Sequence, residues 1–78
     1  MKTRLTPQQI QIMKDDIAVD LTEHLINKFH YTSQEALDVL YTSDTFTRLQ
    51  DNETGFYYQS SGYVFDFLNK EITEGQMK

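Results

Sequence analysis

The pattern of this chain predicts an all-α fold, a small bundle of three to four helices with a long N-terminal helix and a short irregular aromatic segment before the last helix. Three observations predict it. Apolar residues recur at steps of three and four through the early part of the chain, as they do on one face of a helix. Thr6 and Thr32 are each followed three residues later by Gln9 and Glu35, the spacing at which a helix start closes a reciprocal capping box. The segment most like a strand, Phe56-Tyr57-Tyr58-Gln59, is too short and too isolated to build a sheet and is expected to be extended.

The first helix starts on several agreeing signals. Thr6 caps, Pro7 suits the first helical position, Gln9 completes the capping box, and Leu5 is placed to meet Ile10 as a hydrophobic staple. No Gly or Pro follows until well past Lys28, and Ile10, Met13, Ile17, Leu21 and Leu25 mark a core stripe. A second series, Ile12, Val19 and Ile26, repeats every seven residues and projects to the opposite flank when each residue turns the helix by about 100°. Asp16, Asp20, Glu23 and Asn27 form a polar sector expected to face water. The helix is therefore apolar on two sides, and its short companions cannot easily cover both.

Phe29-His30-Tyr31 reads as a connector. The second helix starts near Ser33, with Tyr31 placed to pack on Ala36, and runs to Tyr41 or Thr42 with Ala36, Leu37, Val39 and Leu40 on its inner face. Ser43-Asp44 caps a short third helix carrying Phe46 and Leu49, where Asp44 lies favourably at the positive end of the helix dipole. Asp51-Asn52-Glu53-Thr54-Gly55 is turn chemistry. Ser60 or Ser61 caps the last helix, which turns Val64, Phe65, Leu68 and Ile72 inward through about Ile72, before a polar tail from Thr73 to Lys78 that is expected to fray.

Length and composition bound the rest. At 78 residues the chain is read as one domain, 1–78, and a domain this small buries only about 60% of the surface its unfolded form exposes, so an oligomer interface would be a natural supplement to its stability. Leu, Ile, Val and Phe make up 20 of the 78 residues, above the level of roughly 20% below which highly charged chains stay disordered. The absence of cysteine removes any disulfide framework, thiolate nucleophile or cysteine zinc site and points to a reducing cytoplasm. No apolar run approaches a membrane span, and Met1 to Gln9 lacks the apolar stretch of a signal peptide, so membrane association is not expected. A net charge of −5 repels phosphate backbones and makes nucleic acid an unfavourable direct ligand.

The residues that carry chemistry do not assemble into a catalytic pattern. Asp20 and His24 stand four apart on one helix and can offer two metal ligands, but a closed site usually needs four and no clustered third and fourth follow. Asp51-Asn52-Glu53 lacks the alternating ligands, central Gly and closing Glu of a calcium loop. There is no phosphate-binding glycine loop and no nucleophile elbow, so no catalytic residue, metal or cofactor is assigned. The aromatic cluster Phe56, Tyr57, Tyr58, Tyr63, Phe65 and Phe67 is expected to fill a core short of aliphatics, with Tyr63 and Phe67 the members expected to be exposed on a flank of the last helix.

The run Leu40-Tyr41-Thr42-Ser43-Asp44-Thr45-Phe46, then Leu49-Gln50-Asp51, Glu53-Thr54-Gly55-Phe56-Tyr57 and Gly62-Tyr63-Val64-Phe65, resembles a recurring pattern of small uncharacterised bacterial helical proteins, over Glu35 to Leu68. The resemblance implies a helical fold, a bacterial cytoplasmic origin and a place beside toxin and antitoxin type loci, and it brings no catalytic residues. The functional expectation is a non-enzymatic protein-interaction module that forms a homodimer and, as an antitoxin-like or accessory subunit, can meet a second protein. Its interface candidates are Ile12, Val19, Ile26, Tyr63 and Phe67. The alternative is a transcriptional or nucleic-acid-linked regulator using the second and third helices as a helix-turn-helix, against which stands a third helix with Arg48 as its only base.

Overall fold

The computed structural model describes residues 5–75. Four helices, α1 (Pro7–Phe29), α2 (Ser33–Tyr41), α3 (Asp44–Gln50) and α4 (Ser61–Thr73), make an all-α fold with no strand among the described residues. Each begins where the sequence offers an oxygen to an orphan backbone N–H. Thr6 Oγ1 accepts from the Gln9 amide at 3.1 Å while the Gln9 side chain accepts from Thr6, and Thr32 and Glu35 repeat that box at α2. Ser43 and Ser60 cap α3 and α4 through the amides of Phe46 and Tyr63.

The stops are equally local. Helix α1 ends at His30, whose φ of 60° is the left-handed conformation usually left to glycine, and the His30 amide donates to Ile26 O at 2.9 Å. The segment after α3 forms two short 3₁₀ turns, Asn52–Thr54 and Phe56–Tyr58, hinged on Gly55 at φ 73°. The second turn corrects the expectation of an extended aromatic segment. Without a neighbouring strand to pair with, its backbone closes local hydrogen bonds, Tyr58 N to Gly55 O and Gln59 N to Phe56 O. Helix α4 runs to Thr73, whose hydroxyl donates to Asn69 O at 2.9 Å, so Thr73 belongs to the helix rather than to the fraying tail expected from Thr73 to Lys78, of which 76–78 fall outside the described residues.

The core lies along the C-terminal two thirds of α1. Ile17, Leu21 and Leu25 pack with Ala36 and Leu40 of α2, Leu49 of α3, Phe56, and Val64 and Leu68 of α4. Leu21, Leu25, Leu40, Leu49, Val64 and Leu68 are fully enclosed. Burying side chains of this size stabilises by about 1.5–3 kcal/mol each relative to exposure. Ile10 and Met13, expected on the same stripe, are only half-buried and do not reach this cluster.

Two polar side chains tie α3 into the assembly from opposite ends. At its C-terminus, buried Lys14 of α1 sends Nζ to Gln50 O at 2.7 Å, answering a carbonyl the helix leaves unpaired. At its N-terminus, the Glu71 carboxylate of α4 accepts from the Asp44 amide at 2.7 Å and from the Thr45 amide and hydroxyl at 3.0 and 2.7 Å. A seven-residue helix is marginal alone, so these two ties and Leu49 hold it in place.

Candidate protein-interaction face

The outer face of α1 carries large apolar side chains that this chain does not cover. Ile12 and Val19 are each 58% exposed, and they lie within about 20° of one another on the helix surface. Leu5, seven residues before Ile12, is 43% exposed. Isolated surface aliphatics are ordinary, but Ile12 and Val19 share one face of α1, while Leu5 precedes the extended N-cap Thr6 and lies before the helix.

Ile26 does not belong to the open face. It is half-buried against the core, unlike Ile12 and Val19. The cause is geometric: a seven-residue repeat drifts by about 20° per heptad on a straight helix, so by Ile26 the series has turned toward the side where Leu25 and Phe29 are packed. The face therefore occupies the N-terminal and middle turns of α1 and closes before the helix ends.

Its charge pattern is uneven along the helix. From Leu5 to Met13 there is no Asp, Glu, Lys, Arg or His. Asp15, Asp16, Asp20 and Glu23 then follow, all exposed, and Lys14 between the two regions is buried and directed to α3. Gln11 Nε2 donates to Asp15 Oδ1 at 2.9 Å. The polar sector expected at Asp16, Asp20, Glu23 and Asn27 is exposed as a whole.

The aromatic candidates separate. Tyr63 is 46% exposed, whereas Phe67 is half-buried and packed on the core, a correction to its expected exposure. The cause is the 3₁₀ turn: it lays the Phe56 ring against α4, 5.1 Å from Phe67 and 6.1 Å from Tyr63, while Tyr63 and Phe67 meet edge to face at 5.3 Å. Tyr63 and Phe67 thus form one patch on α4, separate in sequence and element from the α1 face. Beside Phe67 an open groove of about 420 Å³ is lined by residues including Asp44, Arg48, Lys70 and Glu71. Its mixed charges present no single chemistry, and Glu71 is engaged with α3.

Asp20 and His24 are exposed, and the His24 ring rests on Phe65 with centroids 4.8 Å apart. Among the described residues no group of three or more His, Cys, Asp or Glu side chains is placed to hold a metal ion, and no helix is long and apolar enough to cross a membrane. Sequence reasoning missed Lys14 and Glu71. Lys14 had a signal, since it stands four residues after Ile10 and three before Ile17, within the core stripe. Glu71 had none, because its role depends on where α3 comes to rest. No family model, curated protein or solved structure matches the chain.

Proposed function

We propose that this protein is a non-enzymatic interaction module that associates with itself through the outer face of α1, in the manner of an antitoxin-like or accessory subunit of a bacterial cytoplasmic complex. The exposure of Ile12 and Val19 on one helix face carries this reading. A small domain gains most from burying such side chains in a second molecule, because its own core is limited by its size. Tyr63 on α4 offers a second surface, suited by its apolar body and polar tip to a different protein.

The regulator alternative gains no support from the fold. A recognition helix needs cations toward phosphate, and α3 instead presents Asp44 and receives the Glu71 carboxylate at its N-terminal end.

Sedimentation of the wild type and Val19→Asp over a concentration series tests the reading. The wild type is expected to shift to dimer with concentration while Val19→Asp stays monomeric. A wild type that remains monomeric throughout overturns it.

A further inference from the structure

We infer that residues 44–58 form a strap that opens as one unit while α1, α2 and α4 stay packed, and that Lys14 and Glu71 latch it shut at the two ends of α3. The strap is α3 with the two 3₁₀ turns that follow it. Its backbone is bonded mainly to itself. Asp51 N donates to Thr47 O and Arg48 O at 3.2 Å, Thr54 N to Asp51 O at 3.1 Å and Tyr58 N to Gly55 O at 3.3 Å, while Thr54 Oγ1 donates to Arg48 O and Asp51 O. Among the described residues, every hydrogen bond that joins the strap to another helix comes from one of two side chains. These are Lys14 of α1, on Gln50 O, and Glu71 of α4, on Asp44 and Thr45.

The apolar seat of the strap is small beside what remains. Of the nine core residues only Leu49 and Phe56 belong to it, and the other seven lie on α1, α2 and α4. Helix α1 packs directly on both α2 and α4, so that remainder keeps a core of its own when the strap lifts. A seven-residue helix does not persist in water by itself, so α3 depends on being seated. Segments with few buried apolar contacts are the ones that open below the free energy of global unfolding.

The two latches act on opposite ends of one helix dipole. The Glu71 carboxylate meets the positive end of α3 and the Lys14 ammonium the negative end. Each bond exists only when α3 is seated, and the entropy of ordering the strap is spent once for both. Losing either latch therefore loosens both ends. Opening also withdraws Phe56 from Tyr63 and Phe67, whose ring centroids lie 6.1 and 5.1 Å from its own. The strap thus governs how much of the α4 aromatic patch a partner can meet, independently of any pairing through α1.

Native-state hydrogen exchange across low denaturant concentrations, with dilute protein, tests this. In the wild type the amides of Thr45, Thr47 and Asp51 are expected to share one opening free energy and one denaturant slope, both below those of Leu21 and Leu25. Lys14→Met keeps the length of the side chain and loses its hydrogen bond. It is expected to speed exchange about tenfold at Thr45, at the far end of α3, and Glu71→Ala to do at least as much at Asp51. Continued protection of Leu21 and Leu25 identifies each variant as folded, and the wild-type comparison stands without either. Thr45 and Asp51 opening together with Leu21 and Leu25 in the wild type overturns the separate strap. Acceleration confined to the end of α3 nearest each substitution overturns the latch.

Discussion

The two halves of α1 share one uninterrupted helix, yet they lead different physical lives. In the C-terminal half, Leu21 and Leu25 are fully enclosed and Ile26 and Phe29 pack against the same cluster. In the N-terminal half, Ile10 and Met13 are half-buried outside the core and Ile12 is mostly exposed. Helix formation needs only the local signals common to both halves, whereas burial needs neighbours, and α2, α3 and α4 supply them mainly to one. The helix is thus a core element at one end and an open surface at the other.

The largest test of this contrast is truncation of its best-packed position. Leu25→Ala is expected to lower unfolding free energy by about 3 kcal/mol, since it opens a cavity among fully buried side chains. Chemical denaturation with an unchanged slope measures it. Ile12→Ala in the same series should change stability by less than about 0.5 kcal/mol at concentrations where the protein is monomeric. Equal losses would break the contrast.

The ties that hold α3 come next. Glu71→Ala removes the acceptor of three hydrogen bonds and leaves buried Thr45 to find another partner, at an expected cost of about 2 kcal/mol. Glu71→Gln keeps one side-chain oxygen as acceptor and should lose less. A variant no less stable than wild type would show that the α3 terminus is satisfied in another way.

These ties also show what the sequence made legible. Helix starts at Thr6, Thr32 and Ser43 could be read because a cap involves neighbours along the chain, and the structure places all three. The exposure of Ile12 and Val19 followed from helical phase together with the small size of the remaining chain. What could not be read depends on encounters distant in sequence. Glu71 meets Thr45 across 26 positions and Lys14 meets Gln50 across 36. The packing of Phe67 is not legible in the sequence, because the 3₁₀ turn that brings Phe56 against it is set by the fold around Gly55, whose left-handed φ lets the chain reverse there.

A smaller effect comes from the paired capping boxes. Thr6 and Thr32 make the same two hydrogen bonds, at 3.1 and 2.9 Å in each case. Thr32 begins α2, whose first buried residue, Ala36, follows within a turn, whereas Thr6 begins the open end of α1. Thr32→Ala is expected to cost about 1 kcal/mol globally, and Thr6→Ala less than about 0.5 kcal/mol, because fraying before Met13 gives up little buried surface. Amide exchange should agree, with Gln11 and Ile12 less protected than Leu21 and Leu25. Equal costs would mean that the N-terminal turns are as firmly held as the rest.

The smallest expected change is also the one that joins stability to function. Val19→Ser removes an exposed aliphatic without opening a cavity, so in dilute solution its melting temperature should match that of the wild type. At high concentration the two should part. Association that draws only on the folded form raises the wild-type melting temperature with concentration, while Val19→Ser, lacking much of the apolar contact, should rise less. The difference between the two slopes measures what the open face of α1 contributes to association, free of its negligible contribution to the folded monomer. Parallel slopes would assign the association, if the wild type shows one, to a surface other than α1.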